Sequence, residues 1–172
     1  MAEFIQKHKL FSFYSALMIV VVLIAIFAPW LAPGDAFSSN LSQALQAPSS
    51  QHWFGTDKLG RDVLSRIIYG TQLSLFMGVS IVVIMVSIGT IIGAVAGYFG
   101  GKIEMVLMRL ADIMLSFPGV VLAIAIAGIL GGSIVNTIIA LSVVGWAKYA
   151  RLVRSMTLKV RGEEYVTAAV MM

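Results

Sequence analysis

"LSLFMGVSIVVIMVSIGTIIGAVAG", residues 73–97, carries no charged side chain, and the uncharged run reaches from 67 to 101. A bilayer crossing needs about 20 apolar residues on a helix, so this stretch reads as a transmembrane span. It also fixes the class of the whole chain. Gly89, Gly93 and Gly97 recur at every fourth position, which lines them along one helix face. There they let another backbone approach closely. Composition agrees: 59% of the residues are hydrophobic, 12% are charged, and mean hydropathy is +0.96. A soluble domain carries about a quarter charged residues. The fold class expected is therefore an all-α integral membrane protein.

Upstream, residues 10–34 are uncharged and dominated by "LMIVVVLIAIFAPWLA", a first span. Lys7 and Lys9 give it a basic start, as in a signal peptide, but the apolar run is long for that role and no small-x-small cleavage site follows. Residues 35–56 are polar and rich in Ser, Gln, Asn and Pro. From Lys58 the spacing of Leu59, Val63 and Ile67 against Asp62 and Arg66 predicts an amphipathic helix lying in the membrane interface.

Downstream, "YFGGK" at 98–102 reads as a turn. A third span follows, with Arg109 and Asp112 spaced to pair on one helix face and Pro118 expected to kink it just beyond. "GGS" at 131–133 breaks the run before a fourth, shorter span that ends near Trp146 and Tyr149. About four spans are expected in all. With a cytoplasmic N-terminus the inner side holds Lys7, Lys9, Lys102, Arg109, Lys148, Arg151, Arg154, Lys159 and Arg161, and the outer side only Lys58, Arg61 and Arg66. That asymmetry satisfies the positive-inside rule, and the reverse orientation violates it.

The chemistry is sparse. The chain has no cysteine, and His8 and His52 lie far apart in sequence with neither among carboxylates, so no metal site is expected. No glycine-rich phosphate loop ends in Lys-Ser/Thr. The ten methionines scatter through apolar spans as packing residues. No ionisable residue lies deep in a span, which disfavours a proton-coupled path. The net charge of +4 is distributed around the spans and not along a nucleic-acid-binding face. After the fourth span, Gly162 can end the helix and Glu163 and Glu164 can start a new one, where carboxylates suit the helix dipole. So short a helix needs a surface, its own protein's or a partner's. In "GTDKLGRD", the spacings Asp57–Arg61 and Lys58–Asp62 fit an internally paired helix, while contact with a partner or gating of the outer mouth is the other reading.

Three stretches carry a family resemblance: "HWFGTDKLGRDVLSRIIYGTQLSL", "GAVAGYFGGKIEMVLMRLADIMLSFP" and "WAKYARLVRSMTLKVRGEEYVTAA". The first resembles the pattern G-T-D-x-x-G-R-D-x-x-S-R on Gly55, Thr56, Asp57, Gly60, Arg61, Asp62 and Arg66. Together they resemble the C-type inner-membrane permease subunits of ATP-binding-cassette importers for dipeptides, oligopeptides and nickel. The resemblance implies a non-catalytic subunit in the bacterial inner membrane. Its partners would be a second permease, an extracytoplasmic substrate-binding protein and two cytoplasmic ATPases that bind ATP and Mg, leaving no cofactor to this chain. It implies peptide import, with nickel or another small solute as the alternative, and a non-transporting scaffold as a reading of another class. It also implies that Glu163, Glu164, Tyr165, Thr167, Ala168 and Ala169 belong to the loop that docks on an ATPase, Thr167 standing where the family has glutamate. On this reading residues 1–34 form the cytoplasmic N-terminus and first span, 35–70 the extracytoplasmic segment, and 71–172 a partial permease domain. Family members continue into about two further spans, so the chain is expected to be a fragment.

Overall fold

The computed structural model describes residues 9–164 together with Val166. Its described residues form helices α1 (Lys9–Ile26), α2 (Ala28–Leu31), α3 (Val63–Phe99), α4 (Gly101–Ser116), α5 (Gly119–Leu130) and α6 (Ile134–Arg161), with one 3₁₀ turn at Leu41–Gln43. The chain divides into two compact units, one up to Phe76 and the other from Met77.

α1 and α3 are long and apolar enough to cross a membrane, and only 6% of the best window in each is buried within the protein. Apolar helices with so little cover take lipid or neighbouring helices as their solvent. α3 has 37 residues, about 55 Å at 1.5 Å per residue, so it outreaches a hydrocarbon layer of about 30 Å.

The expected interfacial helix from Lys58 does not form as a separate element. Residues 53–61 run through two turns and an isolated bridge from Thr56 to Asp62, and helix begins only at Val63, continuous with the span that follows. The expected kink at Pro118 is a full break. Phe117 is extended, as a residue before proline prefers, and α4 and α5 meet at 91°. Counted as one span, the bent pair makes a third. The fourth expected span falls short: α6 has 28 residues, but Asn136, Thr137, Lys148 and Arg151 interrupt its apolar run.

The turn between α5 and α6 is capped from both sides. Ser133 Oγ accepts the Asn136 amide at 3.1 Å, and Asn136 Nδ2 donates to the Leu130 and Gly131 carbonyls at 2.6 and 3.1 Å. The core of the second unit is small and built on α4 and α6. Ala111, Trp146, Ala147 and Ala150 are buried together, with Ile92, Met108, Met114 and Leu115 packed around them.

Candidate functional site

In the first unit, residues 34–66 fold on themselves. Gly55 and Gly60 have φ of +71° and +72°, a region that favours glycine. A Cβ on Gly60 would strike the Asn40 carbonyl, and one on Gly55 the Gln46 carbonyl. Both glycines are thus required for the approach of 55–60 to 40–47. Thr56 and Gln46 pair reciprocally: the Thr56 amide donates to the Gln46 carbonyl at 3.1 Å and the Gln46 amide to Thr56 Oγ1 at 2.8 Å. The Thr56 hydroxyl donates onward to the Gln43 carbonyl.

Asp57 organises the turn that follows. Its Oδ1 accepts the Leu59 and Arg61 amides at 2.8 and 3.0 Å. Its Oδ2 accepts Arg61 Nε at 3.0 Å and the Arg66 guanidinium. The Arg61 amide contributes most to holding the Asp57 carboxyl below the usual carboxylate range, against a partial loss of solvent. The Asp57–Arg61 pair therefore forms, but across a turn and not along a helix.

The expected Lys58–Asp62 pairing is replaced. Asp62 is 4% exposed and lies 3.0 Å from His52 Nδ1. Its other oxygen accepts the Ser65 amide at 2.7 Å, a cap on the first turn of α3. Burial alone would raise the Asp62 pKa. The bonds from the Ser65 amide and hydroxyl and from His52 outweigh it, and the net shift is downward. Fully buried Ser65 also accepts the Gly34 amide at 3.0 Å. His52, expected to lie away from carboxylates, is thus a partner of one. Ser65 and His52 were not legible as members of this cluster, because contacts across a loop leave no periodic signal.

In the second unit the three glycines all face α6. A Cβ on Gly89 would lie 2.5 Å from Tyr149 Cβ, one on Gly93 would strike the Ala150 carbonyl, and one on Gly97 would lie 2.7 Å from Thr157 Cβ. α4 holds the same stretch of α6 with charges. Glu104 accepts Arg154 through Nε at 2.7 Å and also through Nη2, and Asp112 accepts Arg151 Nη2 at 2.5 Å. The expected Arg109–Asp112 pair is not made. Asp112 faces α6, and Arg109 is exposed without an ion pair to the described residues. The Glu104, Asp112, Arg151 and Arg154 side chains line an opening of about 450 Å³. A second, more apolar cavity of about 600 Å³ lies at the α4–α5 bend, lined by Met85, Leu115, Phe117, Val144 and Tyr149 among others.

α6 ends where expected. The Gly162 amide bonds the Leu158 and Lys159 carbonyls at 3.3 and 3.2 Å, and the Val166 amide bonds the Glu163 carbonyl at 3.1 Å. Glu163 and Glu164 are exposed. Tyr165, Thr167, Ala168 and Ala169 lie outside the described residues. Among the described residues no group of three or more His, Asp or Glu side chains could hold a metal ion.

Apolar spans, a bent helix pair and a glycine-and-ion-pair clamp on α6 define a helical membrane component without a metal cluster among the described residues. Residues 89–172 match the family described as binding-protein-dependent transport system inner membrane component, and residues 5–48 match the N-terminal transmembrane domain of oligopeptide transport permease C. Residues 89–172 thus carry the match to this family of transport-system membrane components. It is 45% identical over 165 residues to the dipeptide transport system permease protein DppC of Alkalihalophilus pseudofirmus, covering 96% of this chain and 54% of that protein. It is 37% identical over 164 residues to the oligopeptide transport system permease protein OppC of Bacillus subtilis, covering 95% and 54%. It is 38% identical over 156 residues to the nickel transport system permease protein NikC of Escherichia coli, covering 90% and 56%. The chain spans about half the length of the curated relatives it matches.

Proposed function

We propose that this chain belongs to the permease of an ATP-driven importer for di- or oligopeptides. It would contribute to the translocation path with a second permease and take force from two cytoplasmic ATPases, after an extracytoplasmic binding protein delivers the substrate. The observation that carries the reading is the family match over 89–172. It takes in the clamped α3–α4–α6 packing and runs on through the segment after Gly162. That segment is the proposed ATPase contact, and Glu163 and Glu164 are exposed at its start. The relatives named for dipeptides and oligopeptides support peptides as cargo. The relative named for nickel supports Ni²⁺ as a second reading. The basic run from Lys148 to Arg161 supports a cytoplasmic end for α6 and, with Lys7 and Lys9, a cytoplasmic N-terminus.

Copurification and uptake test the assignment. A tagged chain should bring two ATPases and a second permease out of the membrane, and uptake of labelled dialanine should depend on ATP. Uptake of Ni²⁺ alone would move the cargo to nickel. Recovery of the chain without any ATPase would refute the transport reading and leave a scaffold. The absence of native cysteine makes topology direct to measure. A Ser42→Cys variant should react with a membrane-impermeant maleimide on intact cells, and Lys159→Cys should not. The opposite pattern would overturn the orientation.

A further inference from the structure

The pairs that tie α4 to α6 differ in quality. Arg154 and Glu104 are 35% and 21% exposed, and two guanidinium nitrogens engage one carboxylate oxygen. Arg151 and Asp112 are 54% and 52% exposed and make a single contact. Exposed single pairs contribute little. A partly shielded, charge-assisted contact with two donors fixes both distance and angle. Arg154 also lies against α3, since a Cβ on Gly93 would lie 3.0 Å from the Arg154 nitrogen and one on Gly97 3.0 Å from its carbonyl. Its backbone is therefore seated on α3 while its side chain is held by α4. Beyond Arg154 the helix continues unbroken to Arg161 and ends at Gly162. A helix transmits displacement over that length with little bending, because each turn is hydrogen-bonded to the next.

We propose that Glu104 and Arg154 are positioning residues that set the angle at which α6 presents the segment after Gly162, and that they pass its movement to α4 and the bent α4–α5 pair. This rests on the reading of that segment as the ATPase contact. The pair touches neither nucleotide nor cargo and acts through α6. Buried apolar packing of Ala111 against Ala147 and Ala150 holds the helices together without it. Loss of the pair should therefore loosen the transmission and leave the assembly intact.

The test uses the transporter reconstituted with its ATPases and binding protein, read as ATP hydrolysis with and without the binding protein. Glu104→Gln and Glu104→Arg should each lose most of the stimulation, about fivefold or more, with basal hydrolysis and subunit stoichiometry unchanged. The swap of Glu104→Arg with Arg154→Glu should restore at least half of it. Arg109→Gln, which breaks no ion pair among the described residues, should behave as the native protein. Unchanged stimulation in both single variants would overturn the proposal. Loss of assembly in them would overturn it too, since the pair would then be a folding contact. Deletion of 163–166 separates the two levels. If the deletion abolishes stimulation but Glu104→Gln does not, only the positioning role falls. If the deletion changes nothing, the coupling reading itself falls.

Discussion

Asp62 joins two jobs in one carboxylate: one oxygen lies 3.0 Å from His52 Nδ1 and the other accepts the Ser65 amide at 2.7 Å. The long span α3 therefore begins at a residue that also ties down the loop before it. Thr56 pairs with Asp62 across the same turn, and Ser65 holds the Gly34 amide. The Gly-Thr-Asp motif in this structure is a set of backbone requirements. Two left-handed glycines and two acceptor carboxylates close the segment onto the helix start.

Asp62→Ala should open this closure. Loss of an N-cap of this kind costs about 1–2 kcal/mol, and the His52 contact goes with it. Trypsin cleavage after Lys58 and Arg61 should quicken roughly five- to thirtyfold in detergent, the factor that 1–2 kcal/mol of local opening implies. Asp62→Asn keeps a good cap and should fall between. Equal cleavage rates in all three proteins would show that the cap does not hold the loop.

The same carboxylates set a pH dependence. The folded-state pKa values of Asp57 and Asp62 are both depressed. Stability from such groups is present above the unfolded value, about 3.9, and is lost as pH falls through the folded values. Amide exchange at Leu59, Arg61 and Ser65, corrected for its intrinsic rate, should be pH-independent from 7 to 5. Protection should drop progressively below about 4. Protection that instead falls between pH 7 and 5 would assign the dependence to another group.

The membrane class, the positions of α1 and α3, and the glycine face were all legible because each is periodic or a long uncharged run. Gly89, Gly93 and Gly97 fall on one face by spacing alone, and the face they meet is α6. The Asp57–Arg61 pair was legible as a spacing, but not as a turn. Four residues bring the two side chains together on a helix, and here a left-handed Gly60 does it instead. Asp112 was misassigned because Arg109 is near in sequence, while Arg151 arrives only when α4 packs on α6. The 91° bend was announced by Pro118 but its size was not. Proline removes a donor and a helical neighbour, and the packing of the next helix decides the angle.

The glycine face gives a paired prediction. Gly93→Ala places a methyl group against the Ala150 carbonyl, a backbone atom that cannot swing aside. Overpacking of this kind costs about 1–3 kcal/mol, and thermal unfolding in detergent should occur at lower temperature. Gly78 lies on the same helix with nothing within 4 Å of the added methyl. Gly78→Ala should leave the midpoint unchanged or raise it, because alanine is the better helix former by about 1 kcal/mol. Equal effects at the two sites would mean that α3 does not pack on α6 through this face.

The bend at Phe117–Pro118 separates local from tertiary control. Pro118→Ala restores a backbone donor and permits one continuous helix, a gain of about 1 kcal/mol for each net hydrogen bond. Straightening would also have to pull α5 off α6, the helix it packs along, and take Ala123 out of its buried position. It would also part Gly119 from Val144, whose Cγ1 lies 3.4 Å from where a Cβ on Gly119 would sit. Packing along a whole helix outweighs one or two recovered bonds, so the bend should persist in the variant. Spin labels at the exposed positions Met105 and Ile129 would report it. Their separation should change by no more than about 3 Å, whereas bringing the 12 residues of α5 into line would lengthen it by roughly 10 Å, from two arms of about 18 Å at a right angle to one helix of about 36 Å. A shift of that size would show that the proline alone sets the angle and that α5 is free to move.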